Sequence, residues 1–280
     1  ARGAHLTAIQ THGLRVESVH GDFTVYPARA SADPAEIGPA DYVIFATKTH
    51  HFDRALAAMR PLVGPDTTIL PLQNGIDAAE RVAAALGRRH VIGGLCQVGS
   101  YIAAPGVIKQ ISQFRRVVAG ELDGPITPRV RAIVAALQAA GATAEATADI
   151  QEALWAKFIF IAPFSGVGAV TRAPAGEIMT CPETRRLLEG AMREVEAVAR
   201  ARGVALAADI VGRTLAFCDA MAPEQTASMQ RDVMEGKPSE LESMIGMMVR
   251  LGAELGVPTP IFGFFYAALL PQERKAQLAR

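Results

Sequence analysis

Residues 226–246, TASMQRDVMEGKPSELESMIG, hold the densest set of side chains able to do chemistry in this chain. A methionine-rich helix carries Ser228 and Asp232 four residues apart, on one side. Gly236 and Pro238 break it, and a second helix starts with Glu240 in its first turn. Glu240 sits beside the apolar stripe Leu241, Met244, Ile245 and Met248, whereas Glu242 shares a face with Gly246 and Arg250 and reads as solvated. Two nearby carboxylates thus meet different environments. Acids also collect at helix starts because the dipole favours them, so position alone leaves a plain helix-start reading open.

Three other groups bear on this block. Lys157, in Trp155-Ala156-Lys157, is the only charge between Glu152 and Arg172. A lysine in an apolar run either snorkels at a domain edge or lies in a partly desolvated cleft, where its ammonium can donate a proton. Thr47-Lys48-Thr49 and Gln73-Asn74-Gly75 each follow the carboxyl end of an expected strand, the place where open α/β sheets bind ligands. Asn-Gly is also an ordinary turn dipeptide, and Lys48 alone an ordinary surface lysine. Two polar loops at corresponding strand ends favour a binding crevice more than either does alone.

The elements that must hold these groups follow from periodicity and breakers. Residues 3–12 read as a helix stopped by Gly13, and 14–19 and 23–26 as a hairpin. Strands are expected at 42–47 and 67–72, helices at 52–62 and 77–86, and extended chain at 90–102. A turn at Pro105-Gly106 precedes strands near 107–111 and 115–120 and a helix at 128–140. Alternating strands and helices predict a mostly parallel sheet with helical cover. From about residue 149 the pattern turns helical, with helices at 150–170, 183–202, 206–221, 225–235 and 239–255. The expected organisation is an α/β domain over 1–148 and an all-helical domain over 149–280.

The chain has 280 residues, half of them hydrophobic, which suffices for one large domain or two ordinary ones. Lys plus Arg equals Asp plus Glu, at 28 each, and no basic stripe is present, which argues against nucleic-acid binding. No apolar run is read as reaching the roughly 18 residues that span a bilayer, and no signal peptide is seen at the start. Three widely spaced cysteines suggest reduced thiols in a cytoplasmic protein. All six histidines lie in the first ninety residues, and no cluster has metal-ligand spacing, so no metal is expected.

Taken in order, these motifs resemble the ketopantoate reductases (2-dehydropantoate 2-reductases). The resemblance rests on Arg2-Gly3-x-His5-Leu6, Thr47-Lys48, Gln73-Asn74-Gly75, Pro105-Gly106, Trp155-x-Lys157, Thr226-x-Ser228-Met229-x-x-Asp232, Ser239-Glu240 and Pro258-Thr259-Pro260. Each motif is short; the ordered set is specific and runs the length of the chain. It implies a Rossmann-type parallel-sheet domain that binds NADPH, followed by a helical substrate domain. It also implies that the first strand–helix unit, with its G-x-G-x-x-G loop, would lie in roughly 30 residues upstream of Ala1.

By that resemblance, Lys157 protonates or polarises the keto oxygen as hydride reaches C2, and Glu240 binds the substrate hydroxyl and helps place the lysine. Asn74 contacts the cofactor ribose and the active lysine, and Ser228 the substrate carboxylate. Lys48 lies near the nicotinamide, and Glu240 also borders the cofactor. Arg2 falls where a 2′-phosphate is read, favouring NADP over NAD. Where the family has asparagines four and eight residues after the lysine, this chain has Ile161 and Ser165, on the substrate-facing side of the helix. The implied reaction is NADPH-dependent reduction of 2-dehydropantoate to (R)-pantoate, in pantothenate and coenzyme A synthesis, by a monomer or homodimer that binds no nucleic acid or membrane. Alternatives are a paralogous reductase of a different 2-oxo acid, or a non-catalytic binding protein with the same fold.

Overall fold

A computed structural model describes residues 1–278; the last two residues of the expected 149–280 domain lie outside the described residues. The chain packs as two compact units. One comprises Ala1–Thr47, His51–Gln73 and Ala78–Ile150. The other takes Lys48–His50, Asn74–Asp77 and the chain from Gln151 onward.

The first unit opens with α1 (Gly3–His12), β1 (Leu14–Ser18) and β2 (Phe23–Val25), then β3 (Tyr42–Phe45), α2 (Phe52–Ala58), β4 (Thr68–Pro71) and α3 (Ala78–Leu86). It continues with β5 (Gly93–Ala104), β6 (Val107–Gly120), α4 (Pro128–Ala139) and β7 (Thr143–Ala146). Strands β3 and β4 pair in parallel, with Phe45 opposite Pro71. Every residue of β4 is buried, and neighbouring residues Ile69 and Leu70 enter different apolar clusters. Alternate residues of a strand point to opposite faces, so β4 is covered on both sides, as parallel strands usually are.

The other sheet is mixed where a mostly parallel one was expected. Strands run β2-β1-β6-β5, with β7 also on β6. The pairs β1–β6 and β6–β7 are parallel, but β1–β2 and β5–β6 are antiparallel. The cause is local. Pro105-Gly106 closes a two-residue turn with Gly106 at φ 77°, and so short a connection can only join antiparallel strands. The two strands expected at 107–111 and 115–120 are one continuous strand.

The second unit is helical: α5 (Ile150–Thr171), α6 (Ala175–Thr180), α7 (Pro182–Ala201), α8 (Ile210–Asp219), α9 (Ser228–Met234), α10 (Met247–Leu255) and α11 (Pro260–Leu278). The buried stripe of α7, Leu188, Ala191, Met192, Val195, Val198 and Ala199, has helical spacing. Helices α6 and α11 go beyond the sequence reading. In α11 the internal Pro271 looks like a breaker, yet packing of Phe262, Phe265 and Leu269 carries the helix through it. Helix α5 corrects the expectation about apolar runs. It is long and apolar enough to cross a bilayer by length and composition, but 67% of its most apolar window is buried inside the protein. Core packing accounts for its character.

One ion pair anchors α4. Arg129 donates through Nε to Glu121 at 2.7 Å, and Thr127 adds a hydroxyl donor at 2.5 Å. The Arg129 bond, reinforced by Thr127, holds the Glu121 carboxyl below the ordinary glutamate value of 4.5 against the opposing push of burial. A lowered folded-state value stabilises the fold above the ordinary range and loses that contribution as pH falls through the folded value. Glu121→Gln should therefore lower unfolding stability by about 1–3 kcal/mol at neutral pH. Urea titrations should show the difference shrinking as pH falls below 4.5; a constant difference would rule out the charged pair as its source.

Candidate active site

The parallel pairing of β3 and β4 sends two loops out from adjacent strand ends, tied by Leu72 N–H donating to the Phe45 carbonyl at 2.8 Å. These loops deliver Lys48 and Asn74 to the second unit. Gly75 makes the turn after Asn74 possible. Its φ of 109° disfavours other residues, and a Cβ there would stand 3.3 Å from the Ser243 carbonyl.

Helix α5 contributes Lys157, whose Nζ donates to Asn74 Oδ1 at 2.9 Å. Asn74 Nδ2 donates to Glu240 Oε2, also at 2.9 Å. The amide thus bridges a cation and an anion. Only one of its two orientations works, because the flipped amide would aim N–H at the ammonium and oxygen at the carboxylate. Glu240 is 4% exposed, and a carboxylate so buried needs donors. Lys157 and Asn74 are half-buried.

The approach to Glu240 is built by two turns. Helix α9 ends in a Schellman arrangement: Gly236, at φ 65°, donates to the Val233 carbonyl, and Lys237 N–H to that of Asp232. Ser239 Oγ accepts from Leu241 N–H at 3.2 Å, as a helix cap does. The next turn departs from the expected regular helix. Glu242–Gly246 is π-helical, with Met247 N–H reaching back to the Glu242 carbonyl. Such bulges often mark functional sites. At the start of this turn Glu242 is exposed and bonded by Arg250 and Tyr266, at 3.0 and 2.6 Å. The expected contrast between a buried Glu240 and a solvated Glu242 is present.

The other candidates occupy varied surroundings. Lys48 pairs with Asp232 at 2.9 Å. Ser228 is the first residue of α9 and half-buried. Ile161 and Ser165 lie one and two turns beyond Lys157 on α5; Ile161 is half-buried, and Ser165 is buried with its hydroxyl lacking a hydrogen-bond partner. Arg2 belongs to the first unit and is exposed at the N-cap of α1. A guanidinium beside the unfilled N–H groups of a helix start suits a phosphate.

Sequence reasoning missed several supporting contacts. Ser243 Oγ donates to Thr49 Oγ1 at 3.1 Å, tying the π turn to the Lys48 loop. The fully buried Gln230 donates to the Ala173 carbonyl and accepts from Ala227 N–H, setting the start of α9. No spacing in the chain announces either. Among the described residues no group of three or more His, Cys, Asp or Glu side chains is placed to hold a metal ion. Burial, aided by Asp219, pushes the Cys218 thiol up to about 12, which leaves it unreactive at neutral pH.

A lysine ammonium held by an amide that is itself held by a buried carboxylate is an oriented proton donor. It can stabilise negative charge developing on an oxygen. Asn74→Ala removes the link and strips Glu240 of a donor. It should lower stability by about 1–3 kcal/mol in urea unfolding; an unchanged midpoint would mean the amide does not hold the carboxylate.

Comparisons with known proteins converge. Residues 1–124 match the family model "Ketopantoate reductase PanE/ApbA", and residues 149–273 match its C-terminal counterpart. A 2-dehydropantoate 2-reductase of Nostoc sp. is 32% identical over 93% of this chain and 83% of its own length. A crystal structure of a PanE/ApbA family ketopantoate reductase from Ralstonia eutropha is 31% identical, with a TM-score of 0.89 over 99% of this chain and 90% of that one. A 2-dehydropantoate 2-reductase structure from Geobacter metallireducens is 34% identical, with a TM-score of 0.88 over 94% and 88%.

Proposed function

The chain belongs to the ketopantoate reductase family, and from that premise we propose that it catalyses the NADPH-dependent reduction of 2-dehydropantoate to (R)-pantoate. The observation that carries this reading is the hydrogen-bonded series Lys157–Asn74–Glu240. Reduction of a 2-keto acid needs a hydride at C2 and a proton at the carbonyl oxygen. NADPH, when bound, supplies the hydride. Lys157 donates the proton, its ammonium stabilising the developing alkoxide more than the neutral ketone. Asn74 fixes the direction of that ammonium and borders the cofactor ribose. Glu240 orients Asn74 and accepts from the substrate hydroxyl. Ser228 receives the substrate carboxylate, Lys48 borders the nicotinamide, and the guanidinium of Arg2 holds a 2′-phosphate. Orientation of the two reactants does much of the remaining work.

Ile161 and Ser165 favour a second reading, a reductase of a less polar 2-oxo acid. An isoleucine on the face that carries Lys157 offers no hydrogen bond. Leaving a polar partner unpaired there costs about 1–3 kcal/mol, roughly 5- to 150-fold in selectivity.

Oxidation of NADPH, followed by absorbance with a panel of 2-oxo acids, separates the two. Preference for 2-dehydropantoate over simpler analogues would exclude the second reading, no turnover with any branched 2-oxo acid would exclude the first, and no turnover across the whole panel would exclude both. Lys157→Ala should lower kcat by about 100- to 10,000-fold while leaving the Kd for NADPH nearly unchanged. An unaltered kcat would remove Lys157 as the acid.

A further inference from the structure

The residue before Glu240 is held by a second buried carboxylate. Glu273, on α11, is 4% exposed. Its oxygens accept from Ser239 N–H at 3.0 and 3.2 Å, from Ser239 Oγ at 2.6 Å and from Gln277 Nε2 at 2.9 Å. The Ser239 hydroxyl that donates to Glu273 also accepts from Leu241 N–H. The backbone on both sides of Glu240 is thus tied, directly or through one hydroxyl, to one carboxylate 33 residues further along the chain.

Burying a carboxylate is unfavourable, and burying it near Glu240 adds repulsion between like charges. An apolar residue of similar size would fill the space without either cost. Convergence of three donor groups compensates the burial, and two of the three belong to Ser239. The bonds are spent on fixing the start of the turn that presents Glu240. The geometry points to Glu273 as a positioning residue, which acts through Ser239 to set the Glu240 carboxylate against Asn74 and, through it, the Lys157 ammonium. This inference rests on the reductase reading for its catalytic consequence, but the placement of Asn74 is measurable without turnover.

Asn74 is the only asparagine in the chain. Protein labelled with ¹⁵N-asparagine therefore gives a single side-chain amide pair, from the group that bridges Lys157 and Glu240. In Glu273→Gln that pair should move or broaden, because Gln presents N–H where the carboxylate accepted. An unmoved pair overturns the inference. In steady-state kinetics Glu273→Gln should lower kcat by about 10- to 100-fold, the scale of a misplaced catalytic group, with the Kd for NADPH unchanged. On a Glu240→Gln background the same substitution should change kcat by less than about twofold, because both act through one carboxylate. Losses that multiply would make Glu273 a general stability element and overturn its positioning role. If Glu273→Gln does not fold, Ser239→Ala, which removes the hydroxyl and keeps the backbone bond, takes its place in both experiments. Should the wild-type protein reduce no 2-oxo acid, the reductase reading falls, while the amide signal still decides whether Glu273 positions Glu240.

Discussion

The buried carboxylate of Glu240 is the constraint around which the second unit is arranged. A charged group at 4% exposure must be met by donors, and those donors must be held in place. Asn74 is such a donor: its Nδ2 meets Glu240, and its oxygen, turned away from the carboxylate, accepts from the Lys157 ammonium. One requirement thus selects a strand-end loop, a position on the long apolar helix and a turn of π-helix. Gly75 lets the loop pass close to the Ser243 carbonyl, and Ser243 in turn holds Thr49, next to Lys48.

The helix after Glu240 is irregular. A regular helix from 239 onward would repeat its faces every 3.6 residues. The π turn at Glu242–Gly246 inserts an extra residue into the ladder, and Glu242 emerges exposed, where Arg250 and Tyr266 meet it. The apolar methionines Met244, Met247 and Met248 stay buried through this shift. Flexible side chains of this kind fill the irregular space that a bulge creates. Helix α5 works in the opposite way. It is regular and largely buried, and Lys157 is its only charge between Glu152 and Arg172.

Much of this was legible in the residues. Alternation of short β-branched runs with helical periods located β3, β4 and the helices between them, because those patterns repeat within a few residues. The Gly-x-Pro break at 236–238 and the Asn-Gly turn carried their own backbone chemistry. The ordered motifs singled out Lys157, Asn74 and Glu240 and implied that Asn74 contacts the lysine. The bond from Asn74 to Glu240 joins residues 166 apart, and no local pattern encodes it. Helix α11 lies beyond the last helix read from the sequence, which ended at 255, so Glu273 had no element to sit on. The antiparallel pairs had local signals, the expected hairpin at 14–19 and 23–26 and the Pro105-Gly106 turn, whereas the parallel pairs of β6 with β1 and β7 join strands far apart in the chain.

The sequence by itself determined the elements, the turns and the types of group available, since propensity and periodicity act over a few residues. It also determined family membership, through motifs kept in order along the chain. Beyond the Asn74–Lys157 contact that the motifs implied, tertiary structure decided which distant groups share a hydrogen bond. It paired Lys48 with Asp232, put one amide between Lys157 and Glu240, and brought Glu273 to Ser239. The physical reason is that burial makes polar groups seek partners wherever the packed chain offers them. Where it offers them depends on how helices pack, which no short stretch of residues records.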